Sequence, residues 1–212
     1  MRKLVKVSSV AAPIPESDID TDAIFPARFL LLLNRAELGQ HLFHERRQTA
    51  PGETPFILDQ TKYEDSEILV AGPRFGIGSS REHAVWALSD FGIRCIIAPS
   101  FGDIFYANCL KNGVLPVRLQ DAEHQQIMAA SQAGEAITID LEAQEVSSSA
   151  TGVIKFEIAE HHKYALLNGL DEITSILSED GSEITAFEAR QKQDQPWLQL
   201  SDDQLSSFVR PT

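Results

Sequence analysis

Between residues 67 and 119 the chain alternates short apolar runs with amphipathic stretches. Residues 67–71 carry Ile68-Leu69-Val70-Ala71 and stop at Gly72-Pro73, the length and flanks of a strand buried on both faces. Residues 83–91 read as a helix with Gly92 placed to close it. A second buried strand spans 94–98 and is stopped by Pro99. Ser100 is then available to cap a helix over 101–112 that ends at Gly113, and a third strand follows at 115–119. Strand–helix–strand–helix–strand with short loops implies right-handed crossovers and a largely parallel sheet. Near the start, Leu4, Val5 and Val7 interleave with Lys3 and Lys6, the pattern of a first strand rather than of a signal peptide. Beyond residue 120 the pattern predicts a short helix over 122–131. A β-hairpin is expected from 137–141 and 153–158 around a Ser/Gly-rich turn at 147–152, then helical pieces at 160–168 and 182–191. Residues 49–66 read as an irregular loop. The expected fold class is α/β: a largely parallel sheet flanked by helices, plus a C-terminal hairpin and helices, in one domain over residues 1–190 with a polar tail at 191–212.

Composition narrows the function. At 212 residues and 43% hydrophobic content the chain can bury a domain-sized core. Its longest apolar run, residues 29–33, falls far short of the roughly 20 residues that cross a bilayer, so no membrane role and a cytoplasmic location are expected. A net charge of −13 argues against nucleic acid as a partner. The charge is uneven: residues 1–120 hold 14 acids against 13 Lys and Arg, whereas residues 121–212 hold 17 against 5. An anionic ligand is tolerated by the first part and repelled by the second, although the acidic half is equally well read as solvated surface. Cys95 and Cys109 belong to no Cys-x-x-Cys or Cys/His cluster, so the chain shows no metal motif of its own, and both read as small core residues.

Two segments concentrate chemistry. The first, Gly72-Pro73-Arg74-Phe75-Gly76-Ile77-Gly78-Ser79-Ser80-Arg81-Glu82-His83, leaves a buried strand and enters a helix, the edge of an α/β sheet where ligands bind. The glycines permit close approach, the helix N-terminus attracts an anion, and Arg81 can grip a carboxylate through two parallel bonds. The segment lacks the Gly-Lys-Ser/Thr ending of a phosphate loop, the third glycine of a dinucleotide fingerprint and the pattern of a nucleophile elbow. It can equally be a tight turn with capping serines. The second segment, Asp18-Ile19-Asp20-Thr21-Asp22, followed by Pro26-Ala27-Arg28-Phe29, offers three carboxylates to a hard cation but fails the calcium-loop pattern, and reads as a polar loop feeding a substrate site or as turn and cap residues.

With Ile97-Ala98-Pro99-Ser100-Phe101 and Asp103-Ile104-Phe105, these segments closely resemble the small-subunit family of bacterial 3-isopropylmalate dehydratases, in the aconitase superfamily. The likeness runs through the chain, including Gly39-x-His41-Leu42-Phe43, residues 140–146 and Asn168-Gly169-Leu170-Asp171. The resemblance implies the aconitase swivelling β/β/α domain, acting as a hydro-lyase subunit only in a heterodimer with a large subunit. That partner would carry a 4Fe–4S cluster, with no cofactor bound by this chain. The implied reaction converts 2-isopropylmalate to 3-isopropylmalate by dehydration and rehydration, a step of leucine biosynthesis on a small dicarboxylate substrate. By the same resemblance Ser79 is the base, Ser80 and Arg81 hold a substrate carboxylate, and Asp22 and Arg28 support them. Leu30, Leu31, Leu32 and Leu33 form a specificity loop over the isopropyl group, or else a core helix. His83 is read either as structural or as catalytic and stands outside the catalytic set.

The sequence departs from the family at Arg74, where asparagine is common, and at Phe25, Ile77 and Val85. Arg74 adds a cation beside the carboxylate loop, which bears on the choice among dicarboxylates and on contacts with the large subunit. Two other readings follow: a subunit of a related dehydratase for citramalate- or homocitrate-like acids, and a non-catalytic regulatory subunit.

Overall fold

A computed structural model describes residues 1–32, 34, 36–50, 52–78, 81–201 and 204. Two compact units divide the chain, residues 1–171 and 172–212. In the first unit, β1 (Lys6–Val10) is followed by β2 (Ala12–Ile14), α1 (Thr21–Ile24), α2 (His44–Arg47) and β3 (Ile68–Ala71). Then come α3 (Glu82–Phe91), β4 (Cys95–Ala98), α4 (Asp103–Lys111), β5 (Leu115–Arg118) and α5 (Asp121–Ala133). The unit closes with β6 (Ala136–Asp140), β7 (Glu145–Ser148), β8 (Gly152–Lys155) and α6 (Glu160–Asn168). Single turns of 3-10 helix lie at Ala27–Phe29, Leu38–His41 and Ile57–Asp59.

The parallel sheet has the order β2-β3-β4-β5, with Leu69 opposite Ile96 and Ile97 opposite Val117. Every residue of β3 and β4 is buried because both faces are covered. Strand periodicity then divides the side chains between two cores. Leu69, Ala71, Ile96 and Ala98 pack with Ala84, Ala87 and Leu88 of α3 and with Phe105 and Cys109 of α4. Ile68, Val70, Cys95, Ile97 and Val117 pack with Ile127 of α5 and with Ile137, Ile139, Val146 and Ile154 of a second sheet. That sheet is antiparallel, in the order β1-β6-β7-β8.

The α/β class and the buried strands agree with the sequence pattern; four details differ. The expected hairpin is three strands of a meander, because residues 145–148 form β7 between β6 and β8. Only Val146 of β7 is fully buried, so its serines read as a turn. The parallel sheet has an extra edge strand, β2, whose three residues include Pro13, a residue suited only to an edge. Ser100 does not cap α4: Gly102 is its N-cap, and the Ser100 hydroxyl accepts the Arg74 N–H at 2.9 Å instead. In the second unit one helix, α7 (Glu172–Asp194), replaces the short piece at 182–191 and runs through residue 190, the expected domain boundary.

Two buried polar side chains hold strand ends in place. The Nε2–H of His124 on α5 donates to the Ala71 carbonyl at 2.8 Å, and burial draws the imidazole pKa down, which keeps it neutral. The Ser66 hydroxyl accepts the Ala12 N–H at 3.1 Å and lies 2.7 Å from the Val10 carbonyl, joining the β1–β2 corner to β3. Ser66→Ala leaves that buried N–H without its acceptor. It is expected to cost about 1–3 kcal/mol in urea unfolding with an unchanged slope; a loss within error of zero would show that the corner holds without the hydroxyl.

Candidate active site

The parallel strands end at one edge, and the loops that leave β2, β3 and β4 are joined there by their main chains. Asp18 N–H donates to the Pro73 carbonyl (3.0 Å), Gly76 N–H to Ile19 (2.7 Å) and Thr21 N–H to Ile77 (2.9 Å). On the other side Phe75 N–H donates to Ser100 (3.1 Å) and Gly102 N–H to Phe75 (2.9 Å). The glycines make this approach possible. At Gly76 (φ +73°) a Cβ would fall 2.2 Å from the Phe105 ring, and at Gly102 it would fall 2.4 Å from the Gly76 carbonyl oxygen. Gly78 has a positive φ (+98°), and a Cβ there would make only ordinary contact with Asp20, at 3.6 Å.

The three acids of the first loop have separate partners rather than a shared cation. Asp20 caps α1 by accepting the Ala23 N–H at 2.7 Å. Asp18 pairs with Arg74, and both residues sit at positive φ, +61° and +59°. The Arg74 hydrogen bond holds the Asp18 carboxyl below the usual carboxylate range. The added cation at position 74 is thus neutralised within the loop pair. Asp22 accepts from Arg81 Nη1 and from the Ala27 N–H at 2.9 Å. Arg81 first, and then the Ala27 N–H, hold its carboxyl below the usual range.

Arg28 lies on the same rim. It pairs with Glu45 and places its guanidinium 4.7 Å from the centroid of the Phe29 ring. A cleft of about 470 Å³ is lined by Asp20, Asp22, Pro26, Arg28, Glu45 and Arg46, among others. Phe29 in turn stacks on His41, centroids 4.1 Å apart, with His44 at 4.9 Å. Burial, then His44 and Arg28, draw the His41 pKa down. Glu45 and His44 belong to no stretch that the sequence singles out, whereas His41 falls within Gly39-x-His41-Leu42-Phe43, where only its stacking on Phe29 is not legible. The described part of the apolar segment is not a core helix: a 3-10 turn ends at Phe29, Leu30 caps it and packs against the core, and beyond it Leu31 is 89% and Leu32 40% exposed. His83 faces the rings of Phe25 (6.1 Å) and Trp86 (4.5 Å), a packing position. Trp86 Nε1 donates to Asn112 Oδ1, and Asn112 Nδ2 donates to Glu82, which ties the first turn of α3 to the end of α4. Ser79, Ser80 and Leu33 lie outside the described residues.

A second hollow of about 300 Å³, between Glu67, Arg94 and Gly113, lies at the opposite end of the strands. Among the described residues no group of three or more His, Cys, Asp or Glu could hold a metal. Cys95 and Cys109 are fully buried, and desolvation pushes both thiols far above their usual pKa.

Residues 1–122 match the family model of the aconitase C-terminal domain, and residues 179–201 match that of the C-terminal domain of the 3-isopropylmalate dehydratase small subunit. The chain is 50% identical over 202 residues to the 3-isopropylmalate dehydratase small subunit of Dinoroseobacter shibae, a match covering 93% of this chain and 100% of that protein. The chain belongs to the 3-isopropylmalate dehydratase small-subunit family. The small subunit of Parvibaculum lavamentivorans is 48% identical over the same coverage. A solved structure of 3-isopropylmalate dehydratase (LeuD) from Methanocaldococcus jannaschii superposes with a TM-score of 0.64 at 26% identity, covering 85% of this chain and 99% of that one. The fold is thus the aconitase-type domain of this small-subunit family, and Asp22, Arg28, Arg74 and Arg81 all lie in the part matched to the aconitase model. Membership in the aconitase superfamily implies an iron–sulfur cluster on a large subunit. The two cysteines of this chain are buried and, among the described residues, belong to no group of three or more candidate ligands, so they do not fit a cluster-binding role.

The Asp22–Arg81 pair carries a pH signature. A carboxyl whose folded pKa is depressed contributes stability above its unfolded value, about 3.9, and loses it as pH falls through the folded value. The pair is expected to stay closed at neutral pH and to open only below the ordinary carboxylate range. A carbon-13 NMR titration of the Asp22 carboxyl should show a midpoint below that of a free aspartate. A midpoint at or above the free value would mean that Arg81 does not hold it.

Proposed function

We propose that this chain is the small subunit of a heteromeric 3-isopropylmalate dehydratase and supplies the proton-handling and carboxylate-binding half of the active site. The observation that carries the reading is the meeting of Asp22–Arg81 with Arg28 on one rim, where three loops are joined at the carboxyl edge of the sheet. Removal of a proton from C3 and of hydroxide from C2 of 2-isopropylmalate gives the alkene 2-isopropylmaleate and water. Readdition of water with hydroxyl at C3 and hydrogen at C2 gives the 3-isomer, a step of leucine biosynthesis.

In this reading Ser79 takes the carbon-bound proton. A serine hydroxyl is a weak acid, so its anion needs fixed positive charge in a dry site. The N-terminus of the ten-residue α3 and Arg81 are placed in sequence to give it. Ser80 and Arg81 hold a substrate carboxylate. A guanidinium has five donors, and the bond from Nη1 to Asp22 aims the group while leaving others for substrate. Arg28 adds a second cation, and Leu30, Leu31, Leu32 and Leu33 cover the isopropyl group. Departure of the hydroxyl belongs to the cluster-bearing large subunit. The pairing of Arg74 with Asp18 supports isopropylmalate over a reading in which Arg74 selects a different dicarboxylate. In this reading the enzyme works in the cytoplasm, beside its soluble substrate and its large subunit.

The test is co-expression with the large subunit, cluster reconstitution without oxygen, and alkene formation from isopropylmalate beside citramalate, citrate and homocitrate. Isopropylmalate is expected to turn over fastest, and only with both chains present. Ser79→Ala should lower kcat by about 100- to 10,000-fold. Arg81→Lys, which cannot make the two parallel bonds, should lower kcat/KM by about tenfold or more. Normal turnover by Ser79→Ala would remove the proposed base. A different preferred acid would move the substrate assignment, and no turnover from an intact complex would favour a regulatory subunit.

A further inference from the structure

Helix α7 is 23 residues long, and none of them is buried. Ile173, Ile176, Leu177, Ile184 and Phe187 fall at i, i+3, i+4, i+11 and i+14, which at 3.6 residues per turn puts them in one sector about 100° wide. Phe187 is 55% exposed. Trp197, just beyond the helix, is 71% exposed. A helix gains most of its stability by burying such a stripe, and an exposed Phe and Trp are the side chains that anchor protein interfaces.

Charge selects the occupant. The helix carries six acids and two bases; Glu183 and Glu188 border the stripe on either side, and Asp180, at i+7, falls within its sector between Leu177 and Ile184. A second copy would set acidic rim against acidic rim, so the complementary surface is an apolar groove with a basic rim. Residues 179–201 also match a domain model specific to the small subunit of a two-chain enzyme. We infer that the apolar stripe of α7 docks into a basic-rimmed apolar groove on the large subunit and so tethers the small subunit to it. The inference rests on the heteromeric reading above.

The test is titration calorimetry of the full-length chain against the purified large subunit, with turnover measured on the same samples. Ile176→Ala together with Phe187→Ala removes the stripe's bulk yet keeps good helix formers, and should raise the Kd about 30-fold or more. Ser182→Asp, on the opposite face, should leave the Kd within about twofold, as surface changes away from a contact do. Glu183→Lys with Glu188→Lys should raise the Kd about tenfold and flatten its salt dependence, as loss of electrostatic complementarity requires. A Kd unchanged by the alanine pair overturns the inference. So does a dimer of the free chain, seen by light scattering, that those alanines break. Stripe-dependent binding without turnover of any acid would sink the assigned reaction and leave the docking surface standing. Normal turnover with stripe-independent binding would do the reverse.

Discussion

At residue 76 the loop leaving β3 has room for a hydrogen atom and nothing larger. The Phe105 ring closes one side, and the Gly76 carbonyl is itself pressed by Gly102. That close fit lets the Gly76 N–H reach the Ile19 carbonyl and lets Phe75 pair with the loop after β4. Everything that gives the site its chemistry hangs from these contacts: α1 starts where Thr21 bonds to Ile77, Asp22 is carried on α1, and Arg81 precedes α3. Rigid main-chain geometry of this sort holds a polar site more accurately than side chains alone could.

Charge at the edge is organised pairwise. Asp18 answers Arg74, Asp22 answers Arg81 and Glu45 answers Arg28, so a segment rich in both signs presents little net field. These pairs are solvent-exposed on at least one side and contribute little to stability. Their value lies in aim. In the proposed reading Arg81 and Arg28 are each fixed by one carboxylate and keep further donors for a substrate with two carboxylates.

The strands β3, β4 and β5 are legible because burial on both faces writes them as unbroken apolar runs, and the glycine–arginine loop is legible because few other loops combine those residues. β7 is hidden because its serines lie on half-buried faces, and β2 because three residues containing a proline carry no period. Ser100 resembles a cap from its position before a helix, but the nearby Arg74 N–H takes its hydroxyl. The partners of the site arginines divide the same way. Asp22 stands out in an acidic cluster, whereas Glu45 lies 17 residues from Arg28 and only the folded chain brings them together. The exposure of Leu31 and Leu32 and the second packing role of Phe29 depend likewise on neighbours far along the chain.

The stitching of the three loops has a consequence for assembly. Their described segments are held to each other, main chain to main chain, by hydrogen bonds within the one chain. The entropy of ordering those described segments is spent in folding the chain and not at any later assembly. In the proposed reading, the half-site around Asp22 and Arg81 reaches its large subunit as a part made beforehand.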